Sequence, residues 1–181
     1  MALTRIEIVL GCMYSGKSTE LIRRCGRYKA IGKKILMINH SLDTRTGNSV
    51  MTHKKDTVDA IKTDNLMSII KTPEFINSDV VGIDEGQFFD DLLNFVKSVE
   101  LTDKIIIISG LDGDSERRPF GQMLDCIPYC DEVIKLNAMD MIDKDGTPGI
   151  FTKRVSEKKD HILVGTTDCF IAVSRKNYLD Q

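Results

Sequence analysis

Eight residues near the start of the chain, Gly11-Cys12-Met13-Tyr14-Ser15-Gly16-Lys17-Ser18, have the spacing of a phosphate-binding loop. Glycines in such a loop let backbone N–H groups wrap around phosphate oxygens, and a helix starting at its end aims a positive dipole at them. Lys17 then reaches the β- and γ-phosphates, and the Ser18 hydroxyl sits on Mg2+. A second chemical element is Val80-Val81-Gly82-Ile83-Asp84-Glu85, an apolar run ending in two carboxylates. An acid at such a strand end, here Asp84, holds Mg2+, and its neighbour Glu85 is placed to accept a proton from a substrate hydroxyl. Asp43 and Arg45 stand in a polar stretch. Arg45 has the chemistry to stabilise charge on a transferring phosphoryl group, while the plainer reading of Arg45, as of His53, is a solvated loop residue. The combination points to phosphoryl transfer from ATP.

These groups need a framework that brings distant segments to one edge. Residues 6–10 are an apolar run that ends at the Gly-rich turn and read as a strand. Leu21, Ile22, Cys25 and Tyr28 recur at helical spacing and predict a helix over 18–30, capped by Gly32. Arg23, Arg24, Arg27, Lys29, Lys33 and Lys34 read as the solvent face of that helix and its exit. A strand over 34–39 completes a β-loop-α-β unit. Residues 40–52 read as loop. Runs at 80–84 and 104–109 are apolar throughout, as in strands buried on both faces. Residues 88–99 have helical spacing, and 132–136 are a further strand. The pattern then weakens: 140–149 are rich in turn residues, and 162–164 read as one short strand. The fold expected is α/β: a P-loop nucleotide-binding domain over 1–137, with a parallel sheet flanked by helices, and a small β-rich lobe over 138–181.

Composition narrows the partners. A chain of 181 residues can bury a core without a disulfide or metal. A net charge of −2 argues against a nucleic-acid partner, whose affinity would rest on surplus Lys and Arg. No run approaches the ~20 apolar residues of a membrane helix, and the N-terminus does not read as a signal peptide. Five cysteines in an irregular, odd set read as free thiols of a cytoplasmic protein, Cys126 and Cys130 included, since no second ligand pair stands near them. A GTPase-like switch competes weakly: Asp79-Val80-Val81-Gly82 resembles D-x-x-G and Asn137-Ala138-Met139-Asp140 a guanine-reading motif without its lysine. Gly82, however, lies inside a strand upstream of the carboxylates.

In order along the chain, GCMYSGKSTELIRR, LDTR, TH at Thr52-His53, GIDEGQFF and GLDGDSERRPFG resemble the thymidine kinase family of cellular and poxvirus type, the poxvirus branch most. The resemblance spans residues 6–173. It implies transfer of the γ-phosphate of ATP to the 5′-hydroxyl of thymidine, with deoxyuridine and analogues as further substrates, for nucleotide salvage and DNA synthesis. It implies ATP and Mg2+ as cofactors and a homotetramer. In it, residues 11–18, Asp43 and Arg45 bind phosphates, Ser18 and Asp84 serve the metal, Glu85 is the base, and Gln87 shares their segment. Met13, Leu111, Ser115, Phe120 and Phe170 match positions lining the thymine pocket. The stretch His161, Ile162, Leu163, Val164 and Gly165 matches a covering loop whose backbone holds the base edge.

Two departures stand out. Family members carry a zinc site in the small lobe, yet the matching positions here are Asp140, Asp143, Ser174 and Asn177. No structural zinc is therefore expected. The lobe is expected to rest on packing by residues such as Ile142, Ile150, Phe151 and Ile171, and to be the most mobile part of the free protein. In the pocket, Ser115 replaces a Phe and Phe170 a Tyr. A non-catalytic member of the family is the competing reading; intact Lys17, Ser18, Arg45, Asp84 and Glu85 argue against it.

Overall fold

Apolar runs that alternate between two buried faces build the centre of the molecule. The computed structural model describes residues 3–43, 49–51, 57–155 and 169–180. Among them the chain runs β1 (Arg5–Gly11), α1 (Lys17–Ala30), β2 (Ile35–His40), β3 (Ser49–Met51), β4 (Thr57–Asp59), β5 (Ile61–Thr63), α2 (Leu66–Ile69), α3 (Pro73–Asn77) and β6 (Val80–Asp84). A 3-10 turn (Gly86–Phe88) leads into α4 (Leu92–Val99) and β7 (Ile105–Leu111). After a second 3-10 turn (Ile127–Tyr129) come β8 (Glu132–Leu136), β9 (Ala138–Met139), β10 (Pro148–Gly149), β11 (Phe151–Arg154), β12 (Phe170–Val173) and α5 (Arg175–Leu179). Six strands form one parallel sheet in the order β5-β2-β6-β7-β1-β8.

Both faces of the sheet are covered. On one, Ile6, Ile8, Leu10, Ile38, Val81, Ile83, Ile106 and Ile108 pack against Leu66, Phe75, Phe89, Leu92, Phe95 and Val96 from α2–α4 and their connections. On the other, Val9, Met37, Val80 and Ile107 pack against Leu21 and Cys25 of α1. Each large side chain buried this way is worth about 1.5–3 kcal/mol over leaving it in water. Two-sided burial is why the strands read as continuous apolar runs and not as alternating ones.

The structure corrects the sequence reading in several places. The helix expected over 88–99 begins only at Leu92, because Phe88 and Phe89 are drawn in different directions. Phe89 is fully buried against His40, while Phe88 faces Phe120. The stretch 40–52 is not all loop, since β3 pairs antiparallel with β4. The short α2 and α3 were not read at all. They hold too few residues to show a period, and each rests on a capping side chain: Asn65 accepts from the Ser68 N–H at 2.8 Å and Thr72 from that of Phe75 at 3.3 Å. Finally, Arg24 is not on a solvated face. Its guanidinium is mostly buried, donating to Glu7, to Glu20 at 2.8 Å and to Glu132 at 2.8 Å. That group neutralises Glu7, a carboxylate buried in the middle of β1.

Past β8 the chain forms two antiparallel pairs, β9–β10 and β11–β12, and ends in α5. Ile142, expected to pack the lobe, is exposed; Ile150, Phe151 and Ile171 are half-buried. The organising group is instead the buried Asp140 carboxylate. Its Oδ1 accepts from the backbone N–H of Ile142 at 2.7 Å and of Asp143 at 3.0 Å. Its Oδ2 accepts from the Ser174 N–H at 2.5 Å and from Asn177 Nδ2 at 3.0 Å. The four positions that the resemblance matches to zinc ligands thus meet around one carboxylate, whose acceptor sites are taken by N–H donors. These bonds hold the Asp140 carboxyl well below the usual carboxylate range, against the effect of burial.

Candidate active site

Parallel strands bring the chemistry to one edge, because every strand of the sheet ends on the same side. The register pairs Gly11 with Leu111 and with Leu136, and Asn39 with Asp84. In open α/β sheets, ligands bind in the crevice at these carboxyl ends.

The loop after β1 is closely fitted to its surroundings. A Cβ on Gly11 would lie 2.5 Å from both the Leu136 carbonyl and the Ser15 hydroxyl, so the loop can leave the strand here only with glycine. Ser15 Oγ donates to the Cys12 carbonyl at 2.8 Å, and Lys17 Nζ donates to the same carbonyl at 2.6 Å. Burial pushes the Lys17 ammonium's pKa down, while Glu85, Cys12, Asp84 and Asp112 oppose that shift. The Cys12 thiol is pushed up by burial, away from thiolate chemistry. Tyr14 takes a left-handed φ of 63°, a backbone state that costs a non-glycine residue on the order of 1 kcal/mol or more. The first half of the loop is docked on the lobe. The Met13 N–H donates to Thr152 Oγ1 at 3.0 Å, Cys12 Sγ to the Gly149 carbonyl at 3.2 Å, and the Tyr14 hydroxyl to the Phe170 carbonyl at 3.2 Å.

Facing the loop is the end of β6. Asp84 is buried and accepts from Ser109 Oγ at 2.5 Å and from the Glu85 N–H at 3.0 Å. Burial first, and then the neighbouring Glu85, push its carboxyl up to about 6, even against the bond from Ser109. A dicationic ion at this point would relieve both causes, so the donor set suits Mg2+. Glu85 itself has a left-handed φ of 55°. Its Oε2 accepts from Gln87 Nε2 at 2.5 Å, and Gln87 Oε1 accepts in turn from the Leu111 N–H at 2.9 Å. Asp43 is buried in the turn after β2, where Asn39 Nδ2 donates to its carboxylate at 2.9 Å and Lys62 donates to its carbonyl.

The GTPase-like reading loses its footing here. Asp79 sits at the opposite end of β6, where its carboxylate accepts from Lys33 and from the Lys34 N–H. Gly82 is buried mid-strand and Asp140 is engaged in the lobe.

Comparison with known proteins decides what this site belongs to. A family model described as thymidine kinase matches residues 4–178. The thymidine kinase of Vaccinia virus (strain Western Reserve) is 38% identical over 175 residues, covering 97% of each chain. That of Monkeypox virus is 38% identical over 175 residues, again covering 97% of each. That of Yaba monkey tumor virus (strain VR587) is 41% identical over 173 residues, covering 96% of this chain and 93% of that one. The chain belongs to the thymidine kinase family. Among solved structures, the flagellar accessory protein FlaH from Methanocaldococcus jannaschii matches with a TM-score of 0.52 at 18% identity, over 78% of this chain and 74% of that one, a likeness of fold alone.

In this thymidine kinase family member the fold brings Lys17, Asp84, Glu85 and Gln87 to one place, with Ser18 next to Lys17 at the start of α1. Arg45, His53 and residues 161–165 lie outside the described residues. Of the pocket positions, Leu111 is tied to Gln87 and Phe120 packs edge-on to Phe88 with ring centroids 5.6 Å apart. Phe170 is buried in the lobe beneath the Arg154 guanidinium, and its backbone meets Tyr14. Ser115 presents its backbone carbonyl to the Tyr178 hydroxyl at 2.8 Å. Sequence reasoning missed Asn39, Phe88 and Ser109. Asn39 and Ser109 carried a usable signal: each is a polar residue at the carboxyl end of an apolar strand, where the crevice of such a sheet lies. Among the described residues no helix is long and apolar enough to cross a membrane.

Proposed function

We propose that the protein transfers the γ-phosphate of ATP to the 5′-hydroxyl of thymidine. The observation that carries this reading is the sheet register: β7 lies between β1 and β6, so the phosphate loop and the Asp84–Glu85 pair leave the same edge one strand apart, with Asp84 tied to β7 by Ser109 Oγ at 2.5 Å. Family membership supplies the substrate class.

The phosphates lie on the loop 11–18, with Lys17 against the β- and γ-phosphates and the helix dipole of α1 behind them. Ser18 and Asp84 would hold the Mg2+ that accompanies ATP, and its charge would offset that of the phosphates. Glu85, kept in position by Gln87, takes the proton of the 5′-hydroxyl. The 5′-oxygen forms a bond to the γ-phosphorus as the bond to the β,γ-bridging oxygen breaks, and ADP leaves. Asp43 and Arg45 complete the phosphate region. The base lies among Met13, Leu111, Ser115, Phe120 and Phe170, beneath residues 161–165. With Ser115 in place of an aromatic wall, base stacking weakens, which raises the KM for the nucleoside; deoxyuridine and analogues are further substrates of this reading. A cytoplasmic homotetramer is the assembly this reading carries.

The test is direct: purified protein, MgATP and a nucleoside panel, with products identified by mass spectrometry. Thymidine monophosphate formed faster than any ribonucleotide is the expected result. ADP production indifferent to the nucleoside would refute the reading.

A further inference from the structure

The hairpin between β7 and Pro119 carries the pocket side chains Leu111 and Phe120 on its two arms. It is internally rigid. Gly113 and Pro119 bridge across it, Asp114 Oδ1 accepts from the N–H groups of Glu116 at 2.8 Å and Arg118 at 2.9 Å, and Arg118 Nε donates to Asp114 Oδ2 at 2.7 Å. Its base is anchored on the catalytic segment. The Leu111 N–H is bound by Gln87, and Gly121 lies so close to the Gln87 carbonyl that any Cβ there would collide with it. A unit that is rigid and fixed at its base moves by tilting about that base.

What sets the tilt is the far end of the chain. The Tyr178 hydroxyl of α5 donates to the Ser115 carbonyl at 2.8 Å, and the Arg117 guanidinium lies over the Tyr178 ring at 4.4 Å and the Phe151 ring at 5.4 Å. A half-open pocket of about 360 Å³ lies between the hairpin and Leu10, Leu124, Lys135 and Phe151, and Arg117 on Phe151 bridges it. The start of α5 is held in turn by Asp140, through the Ser174 N–H and Asn177 Nδ2.

We infer that Tyr178 is a positioning residue for the nucleoside pocket: it latches the tip of the 113–119 hairpin to the lobe and so sets where Ser115, the pocket position on that tip, stands relative to the bound base. The inference rests on the proposed thymidine kinase reading. Its consequence is that the pocket wall is held by a contact remote from the chemistry, at the position where Ser115 leaves no aromatic side chain to hold it. Loss of the latch loosens binding of the nucleoside and leaves the phosphate loop and the carboxylate pair in place.

Tyr178→Phe removes the hydroxyl and keeps the ring for Arg117. One neutral hydrogen bond corresponds to a change of about two- to ten-fold in affinity. The expected result is a KM for thymidine raised by that factor, a KM for ATP and a kcat within about two-fold of wild type, and an unchanged melting temperature. Amide exchange at residues 115–120, followed by mass spectrometry without nucleoside, should rise in the variant. An unchanged thymidine KM overturns the inference, as does a parallel loss in both KM values with a lowered melting temperature, which marks a merely structural contact. If the wild-type protein does not phosphorylate thymidine, the functional reading falls. The exchange measurement then judges the latch by itself: faster exchange at 115–120 upholds it and unchanged exchange overturns it.

Discussion

Gln87 makes two bonds that the site depends on, and replacing it separates their roles. Gln87→Leu keeps the approximate volume and removes both. The bond to the Glu85 carboxylate, at 2.5 Å, belongs to the charged class, worth about 1.5–3 kcal/mol. The bond to Leu111 leaves a backbone N–H without its partner, a cost of about 1–3 kcal/mol. The second loss falls on the folded state and lowers stability. The first falls on the orientation of Glu85, and if that orientation matters chiefly in the transition state it appears as a roughly 10- to 100-fold drop in kcat. Gln87→Glu sharpens the test, since it keeps an acceptor for the Leu111 N–H but sets a carboxylate against Glu85. It should retain more stability than Gln87→Leu and no more activity. The assay is steady-state kinetics with MgATP and thymidine beside urea unfolding of all three proteins. A Gln87→Leu protein that is folded and keeps kcat within about two-fold of wild type would refute the argument.

Two further predictions concern stability. Hydrogen bonds from Arg23 first, and also from Arg24, hold the Glu20 carboxyl down to about 2 despite partial burial. A depressed carboxyl pKa stabilises the fold above its unfolded value near 4.5, and that contribution is lost as pH falls from there towards 2. The full shift would be at most about 3 kcal/mol, and roughly 1 kcal/mol survives discounting for the exposed Arg23; urea unfolding at pH 5 and pH 3 should therefore show a steeper loss in wild type than in Glu20→Gln. In the lobe, Asp140→Ala strands the Ser174 and Ile142 N–H groups and should lower the melting temperature and speed proteolysis within residues 138–180, whereas chelators should leave wild type unchanged. One tightly held zinc per chain by metal analysis would contradict the hydrogen-bonded account of this lobe.

The contrast between what could and could not be read from the sequence follows from where each contact lies. The phosphate loop and the DE pair are local patterns whose chemistry is written in neighbouring residues, and the runs around Ile83 and Ile107 announce strands buried on both faces. Arg24 was misread because its partners, Glu7 on β1 and Glu132 on β8, are far away in sequence and become neighbours only when the sheet forms. The early start given to α4 has the same origin. Phe88 fits the helical period, but its ring is claimed by Phe120, and tertiary packing wins over periodicity. Asp140 looked like one of four failed zinc ligands. Its real role rests on backbone N–H donors, which sequence does not distinguish. The latch from Tyr178 to Ser115 uses a backbone acceptor and was invisible for the same reason.

The central claim is that Glu85 is the base of a nucleoside kinase, and Glu85→Gln tests it with the least disturbance. The amide keeps the size of the side chain and can still pair with Gln87, but it cannot accept the proton of the 5′-hydroxyl. Measured beside the dissociation constant for thymidine, kcat should fall at least about 100-fold while binding stays within a few-fold of wild type. A kcat within a few-fold of wild type would contradict the account.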